Sequence, residues 1–172
     1  MRTTGRIVLV AALTATLVSS ALSAQSRSGF AQGSEMKIGP EIGVGTNSLD
    51  FMIGADFAYP VANRFDIYPS FQYYFPGNSV HVWTLEGAVR YWPKLNIKNS
   101  GLYAGAGLNY THTSVSVNTP LGNISGSSSD AGLSLFGGWE FKMQNFFPFG
   151  QIRVVVGNAD RVDFMGGVNF RL

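Results

Sequence analysis

The 172-residue sequence predicts an all-β fold, a closed antiparallel up-and-down transmembrane β-barrel of eight strands. Apolar residues alternate with small or polar residues from Met36 to Leu172, which is the period of a β-strand. Glycine (21 residues) and aromatic residues (13%) are abundant, and glycine is costly in helices whereas aromatic side chains favour strands. Turn-forming residues divide the alternation into segments of about ten residues, the length that a tilted strand needs to cross a membrane.

Residues 1–24 have the pattern of a secretory signal peptide. Arg2 and Arg6 provide a basic start, residues 7–18 form an apolar core, and residues 19–24 are mostly small. An uncleaved anchor helix is the alternative, but the apolar core is short for the roughly 20 residues of a spanning helix. We therefore expect export through a cleaved signal peptide.

The domain organisation follows from the cleavage point. We place cleavage after Ala24, with cleavage after Ser23 as the alternative. Residues 25–35 lack periodicity and are predicted to be a flexible leader. Residues 36–172 are then one β-barrel domain, because the mature length suits a single core.

Charge and composition exclude several classes of protein. Two of the 12 Lys and Arg residues, Arg2 and Arg6, belong to the signal peptide, so basic residues equal the 10 acidic residues in the mature chain. No basic cluster remains to bind nucleic acid. The absence of cysteine excludes disulfides and a lipid anchor. After the signal peptide, no apolar run approaches the length of a spanning helix.

The first four strands are each followed by residues that favour turns. The strands and the sequences that end them are 36–44 before Thr46-Asn47-Ser48, 51–59 before Pro60-Val61-Ala62-Asn63, 64–75 before Pro76-Gly77-Asn78, and 82–91 before Trp92-Pro93.

The last four strands are less uniform. They are predicted at 101–110, 133–142, 151–156 and 162–172. The face assignment around residues 146–149 is ambiguous. Between the fifth and sixth strands lies the polar segment 113–130, in which Val115, Val117 and Ile124 suggest that both strands continue as a protruding hairpin. A simple loop is an equally good interpretation of this segment.

Alternation alone does not show which face is inside, so we use glycine and aromatic residues. The charged face carries glycines that suit the cramped interior of an eight-stranded barrel: Gly39, Gly43, Gly54, Gly105, Gly107, Gly138 and Gly167. The apolar face carries aromatic residues near the strand ends, as in the girdles of membrane barrels: Phe51, Tyr59, Phe65, Phe75, Trp83, Tyr91, Tyr110, Trp139 and Phe141. The apolar face is therefore predicted to face lipid, whereas a soluble barrel would reverse the two faces.

The inward face is predicted to carry mixed charges at Lys37, Glu41, Asp56, Asp66, Glu86, Arg90, Glu140, Lys142, Arg153, Asp163 and Arg171. Opposite charges inside a narrow barrel must pair, because unpaired ions are costly to desolvate. We predict a network joining Glu41, Glu86 and Glu140 to Arg90 and Arg153, and a plugged lumen without an open pore. Besides Met and Tyr, the only large apolar residues placed inside are Phe136 and Val155.

The signal peptide, the eight alternating strands and the terminal strand Phe164 to Leu172 resemble the small outer-membrane β-barrels of the OmpX and OmpA-transmembrane-domain type. The resemblance covers the mature chain. It implies location in the outer membrane among its lipids, and recognition of the last strand by the barrel-assembly machinery. This family usually presents a terminal aromatic residue, whereas here Leu172 takes that place and Phe170 lies two residues earlier.

Longer loops are expected outside the cell. With a periplasmic N-terminus, the turns near 60–64, 93–100 and 143–146 are periplasmic, and the loops near 46–50, 76–79, 113–130 and 157–161 are extracellular. We predict a monomeric barrel with a structural or surface-interaction role, and segment 113–130 is the part placed to meet an extracellular partner. The alternatives are a small channel for apolar solutes and a lipid A-modifying enzyme.

The sequence His112-Thr113-Ser114 is the one catalytic-looking group, because outer-membrane lipid A deacylases use a His and a Ser with a carboxylate partner. Glu140 is predicted to face inward whereas His112 faces outward, so the His lacks a carboxylate to orient it. His81 is placed at the rim of the fourth strand. Two separated histidines without cysteine do not make a metal cluster. We therefore predict no enzymatic activity and no catalytic, cofactor or metal site.

Overall fold

The computed structural model describes residues 35–46, 50–76, 80–95, 100–119, 122–157 and 160–172, with the backbone alone at 117–119 and 122–124. The predicted signal peptide and residues 25–34 of the predicted leader lie outside the described residues. The fold is the predicted closed antiparallel barrel of eight strands in chain order. The strands are β1 (Lys37–Gly45), β2 (Asp50–Ala62), β3 (Phe65–Phe75), β4 (Val80–Tyr91), β5 (Ser100–Thr119), β6 (Gly122–Phe141), β7 (Phe146–Gly157) and β8 (Arg161–Arg171).

The barrel closes because β1 pairs with β2 on one side and with β8 on the other. Closure gives each strand two neighbours and pairs the backbone N–H and C=O groups that would otherwise form a sheet edge. The end where β1 begins and β8 finishes is called the terminal end, and the opposite end is called the hairpin end. None of the described residues belongs to a helix long and apolar enough to cross a membrane.

The two faces of the strands have the predicted orientation. Outward apolar side chains are widely exposed, with Leu108 67% and Leu133 61% accessible, whereas the inward Gln72 and Arg90 are completely buried. A water-soluble barrel would show the reverse distribution, since exposed apolar surface on this scale is unfavourable in water. The exterior is therefore suited to lipid.

Outward aromatic residues lie at both ends of the barrel. At the hairpin end, the rings of Phe51 and Phe75 lie 6.0 Å apart between centroids. At the terminal end, Phe65 lies 5.0 Å from Tyr91. These pairs come from neighbouring strands and correspond to the two predicted girdles.

The described residues of the polar segment, 113–119 and 122–130, pair as the two strands of a hairpin, so the loop interpretation is wrong. Pairing of β5 with β6 runs from Ser100 opposite Phe141 to Thr119 opposite Gly122. The neighbouring strands stop earlier, because β4 reaches only Val115 of β5 and β7 begins to pair at Gly132 of β6. The hairpin extension, defined as residues 116–119 and 122–131, therefore protrudes beyond the barrel.

Candidate functional site: the filled lumen and the hairpin extension

The half of the lumen toward the hairpin end is organised around Arg153. Its guanidinium is fully buried and forms ion pairs with Glu86 at 2.7 Å and with Asp163 at 3.1 Å. Asp163 also pairs with Arg161 at 3.0 Å and accepts a hydrogen bond from the Tyr74 hydroxyl at 3.1 Å. The predicted contact of Arg153 with Glu86 is confirmed, and the sequence interpretation missed Asp163 as a second partner.

The half toward the terminal end is organised around Arg90. The Arg90 guanidinium donates to Asp66 at 2.6 and 3.1 Å, and the Trp92 indole N–H donates to the other oxygen of Asp66 at 2.8 Å. The rings of Tyr68 and Tyr103 lie 4.3 and 4.9 Å from the guanidinium carbon. Arg90 was predicted to pair with a glutamate, which is wrong, because its direct cross-strand neighbour is Asp66.

Several polar contacts join strands that are not neighbours, so they cross the lumen. Lys37 on β1 pairs with Glu140 on β6 at 2.5 Å, and its ammonium lies 4.1 Å from the centre of the Phe147 ring. Arg153 on β7 reaches Glu86 on β4. An arginine partner for Glu140 was predicted and is wrong, because Lys37 reaches it instead.

Glu41 is the remaining member of the predicted network. It accepts a hydrogen bond from Gln72 at 2.5 Å, and Gln72 in turn accepts one from Thr84 at 2.6 Å. Glu41 forms no ion pair with Arg90 or Arg153 among the described residues, so this part of the prediction is wrong.

Lys142 and Arg171 were predicted to point into the lumen, and the structure places both at the terminal end instead. Their side chains are 50% and 40% exposed and pair with Glu35 at 3.7 and 2.5 Å. Alternation gives the correct phase for these residues but gives no information on depth: Lys142 follows the last residue of β6, and Arg171 is the last residue of β8.

The lumen holds more large apolar side chains than predicted. Trp92, Phe147 and Phe149 are buried with the predicted Phe136 and Val155. Trp92 and Phe136 belong to one apolar cluster with Tyr68 and Tyr103. Trp92 follows the last residue of β4 and continues its inward phase, which the adjacent proline concealed in the sequence.

The structure places the group His112-Thr113-Ser114 on β5, away from Glu140. The His112 ring shares a hydrogen bond with Ser129 at 2.8 Å and lies 5.2 Å from the ring of Trp83 on the exterior. Glu140 is at the other end of β6, where Lys37 holds it. His81 lies at the rim near the start of β4, as predicted, and its ring shares a 2.5 Å hydrogen bond with the Tyr73 hydroxyl.

The hairpin extension differs from the rest of the surface in composition. Residues 125–129 are all exposed, and they are serine and glycine. Segment 113–130 contains no lysine or arginine, and Asp130 is its one charged residue. The arrangement presents backbone and hydroxyl groups, with little charge, to whatever lies beyond the barrel.

Among the described residues, no three or more His, Cys, Asp or Glu side chains are grouped so that they could hold a metal ion.

No protein family and no curated protein matches the chain. Solved structures do. Neisserial surface protein A (NspA) aligns with a TM-score of 0.63 and 16% identity over 82% of this chain and 98% of that one. The N-terminal β-barrel domain of Pseudomonas aeruginosa OprF gives 0.60 and 16% over 79% and 97%. Ail, the attachment invasion locus protein of Yersinia pestis, gives 0.59 and 16% over 80% and 97%.

A designed transmembrane β-barrel also aligns, with a TM-score of 0.57 and 10% identity over 82% of this chain and 98% of the design. The shared feature is therefore the architecture, since the sequences are only 10–16% identical. The chain has the fold of the small eight-stranded outer-membrane β-barrels.

Proposed function

We propose that the chain is exported through a cleaved signal peptide at residues 1–24 and resides in the outer membrane as a surface-interaction barrel. The protruding β5–β6 hairpin carries this proposal, because it is the part of the described chain that extends beyond the ladder of the barrel. We place the hairpin end outside the cell and the terminal end in the periplasm. Long extracellular and short periplasmic connections are the usual arrangement in such barrels.

The partner would meet a strand edge. Residues 122–129 of β6 pair with β5 on one side, and no described strand pairs with their other edge, since pairing with β7 begins at Gly132. A free edge presents unpaired N–H and C=O groups that can add a further strand. The exposed residues 125–129 are small, so an approaching backbone meets little steric obstruction. We infer that the partner is a protein with an extended segment.

A sulfated glycan is a poorer candidate for this hairpin. Ail has been solved in complex with the heparin analogue sucrose octasulfate. Sulfate groups require cationic or densely donating sites, and segment 113–130 of this chain has no lysine or arginine. The hairpin therefore favours a partner that binds through backbone hydrogen bonds at the strand edge over one that binds through electrostatic attraction.

A shortened hairpin tests the surface role. Val115 lies opposite Gly126, so residues 116–125 can be replaced by Asn-Gly to form a two-residue turn. We expect bacteria of a non-adherent strain displaying the full-length barrel to adhere to plates coated with purified extracellular-matrix proteins, and bacteria displaying the shortened barrel to lose that adhesion.

Both barrels must migrate differently before and after boiling, which shows that each is folded. Equal adhesion of the two strains, or adhesion by neither to any of the coated proteins, would contradict a role for the hairpin.

We also propose that the lumen conducts no solute. Fully buried side chains fill it, and the ion pairs of Lys37 with Glu140 and of Arg153 with Glu86 cross it. An eight-stranded barrel has an interior that side chains can fill. Purified protein in planar bilayers should give no stable conductance steps, and large, uniform steps would contradict the proposal.

We propose that β8, which ends near Leu172, is recognised by the barrel-assembly machinery and that the folded barrel is a monomer in outer-membrane lipid.

We infer no enzymatic role, because His112 and Ser114 lie away from Glu140. Incubation of the protein with lipopolysaccharide should leave the acyl chains intact, both for the wild type and for Ser114→Ala. Deacylation that Ser114→Ala abolishes would restore the enzyme hypothesis.

A further inference from the structure

Two buried carboxylates have no cationic partner among the described residues. The buried acidic side chains of Asp66, Glu86, Glu140 and Asp163 each form an ion pair. Glu41 and Asp56 form none, although they are only 1% and 2% exposed. Burying an ionised carboxylate without a counter-charge is among the costliest arrangements in a protein interior.

The buried charges as a set are also unequal. The acidic members are Glu41, Asp56, Asp66, Glu86, Glu140 and Asp163. The basic members are Lys37, Arg90 and Arg153, together with Arg161, whose side chain is 9% exposed. Two negative charges remain after pairing, which corresponds to Glu41 and Asp56. A single divalent cation would balance them.

The register places these two carboxylates side by side. Glu41 of β1 lies opposite Gly54, and Asp56 lies two residues further along the same inward face of β2. A Cβ added to Gly54 would lie 2.9 Å from Oε1 of Glu41, so the Glu41 side chain extends over β2, where Oε1 accepts the hydrogen bond of Gln72 and Oε2 has no hydrogen-bond partner. Glycine at position 54 makes this approach possible.

A buried amide approaches Asp56 from the other side. Gly39 lies opposite Asp56 in the β1–β2 ladder. A Cβ added to Gly39 would lie 2.5 Å from Oδ1 of Asn169, so the amide of Asn169 on β8 extends over β1 toward Asp56. Asn169 is completely buried and its amide lies within hydrogen-bonding reach of the Asp56 carboxylate, but neither its oxygen nor its nitrogen forms a hydrogen bond of regular geometry.

A phenol provides another donor atom. Tyr68 is 1% exposed, and its position on β3 is two residues from Ser70, the cross-strand partner of Asp56. The Tyr68 hydroxyl also lies within hydrogen-bonding reach of Asp56, but this hydroxyl, both oxygens of Asp56 and Oε2 of Glu41 form no hydrogen bond of regular geometry. Unsatisfied polar atoms are rare in protein interiors, and groups of them commonly mark the binding site of an ion or a water molecule.

We propose that Glu41, Asp56, Asn169 and Tyr68 form a binding site for a divalent cation, and that this cation is Ca²⁺. All the donor atoms are oxygens, which hard cations prefer. Calcium accepts carboxylate and amide oxygens in irregular geometries, whereas magnesium requires a near-ideal octahedron. The site contains two carboxylates with neutral oxygens, so it differs from sites built on three or more charged ligands.

Calcium content and stability of the refolded mature barrel test this site. The chain is refolded in detergent micelles with Ca²⁺ or with EGTA, separated from free ions, and assayed for bound calcium. We expect about one Ca²⁺ per folded barrel and a higher unfolding temperature in Ca²⁺ than in EGTA, because an ion that binds only the folded state stabilises it.

Isosteric variants show where the ion lies. Glu41→Gln and Asp56→Asn should each weaken calcium binding at least tenfold and abolish the difference between Ca²⁺ and EGTA. Glu35→Gln is the control, because Glu35 is a partly exposed carboxylate at the terminal end and its loss should leave calcium binding unchanged.

A wild-type barrel that holds no calcium and unfolds at the same temperature in both buffers overturns the proposal and indicates that bound protons neutralise the two carboxylates. Calcium retained equally by wild type and by both variants overturns it as well. The wild-type comparison decides the question even if a variant fails to refold.

Discussion

The barrel body, which is the closed part of the eight-stranded sheet outside the hairpin extension, shares one continuous β5–β6 ladder with that extension. The surroundings of the two regions nevertheless differ. Within the body, β6 lies between β5 and β7, and inward residues such as Ser134 and Phe136 are buried. In the extension, β5 is the one strand that pairs with β6 in the described part of the chain, and Ser128, which shares the phase of Ser134, is exposed. The comparison shows that closure, and not strand pairing itself, imposes the demand for paired charges and small interior residues.

The largest effect should follow the loss of a charge in the body. Replacing Arg153 with Met leaves Glu86 without its ion-pair partner and Asp163 with Arg161 alone. Removing one member of a buried ion pair typically costs about 3–5 kcal/mol, because the remaining charge is uncompensated. Equilibrium unfolding in urea with detergent micelles or lipid vesicles should show a loss of this size.

Arg171→Gln is the matched control for Arg153→Met. Arg171 also pairs with an acidic residue, Glu35, but its side chain is 40% exposed at the terminal end. Solvent-exposed ion pairs contribute roughly 0–1 kcal/mol, so this change should be small. Equal losses for the two variants would show that the lumen of the body is not the low-dielectric interior that the comparison assumes.

A smaller effect is expected from adding one methyl group inside the body. A Cβ on Gly107 would lie 2.6 Å from the Cβ of Ala88 and from the Gly87 carbonyl oxygen. Overpacking a close-packed interior costs about 1–3 kcal/mol, and Gly107→Ala should lower the free energy of unfolding by this amount. Urea unfolding of the two proteins under identical conditions measures it.

Gly87→Ala provides the control, because Gly87 lies beside Ala88 and Gly107 in the same ladder but faces outward. No atom lies within 4 Å of an added Cβ there. This variant should be neutral or slightly stabilising, by at most about 1 kcal/mol, since alanine restricts the unfolded chain. A greater loss from Gly87→Ala than from Gly107→Ala would reverse the assignment of inside and outside.

The fold could be predicted because the body has a two-sided environment. Successive residues of a strand face lipid and the packed lumen in turn, so a period of two assigns each residue to one face. Leu108 is exposed and its neighbour Asn109 is buried. The same rule could not resolve residues 146–149, because Phe146, Phe147 and Phe149 give an apolar face in either phase. The structure places Phe147 and Phe149 inside.

Part of the ion pairing could also have been predicted. Up-and-down connectivity makes β3 and β4 neighbours, so Asp66 opposite Arg90 follows from the register of a single turn. The pair of Lys37 with Glu140 could not be obtained in this way, because it joins β1 to β6 across the lumen. Contacts of that kind depend on the tilt and diameter of the closed barrel, which the local pattern does not contain.

The strand pattern in the sequence stops where the two-sided environment stops. The sixth strand was predicted to begin at Leu133, whereas β6 begins at Gly122. Residues 125–129 alternate no apolar side chains because neither face contacts lipid or a packed lumen. Alternation therefore indicates the environment of a strand and not its hydrogen bonding, so the sequence of the extension fits a hairpin and a loop equally well.

The smallest effect should come from a charge placed in the extension. Ser128 and Ser134 lie on the same face of β6, but Ser128 is exposed and Ser134 is completely buried. Ser128→Lys should change the free energy of unfolding by less than about 0.5 kcal/mol, as for most surface substitutions. Ser134→Lys should prevent refolding or cost several kcal/mol, because it buries an unpaired cation. Refolding yields and urea midpoints measure both. A substantial loss from Ser128→Lys would show that this face of the extension is covered, contrary to the exposure of Ser128 in the structure.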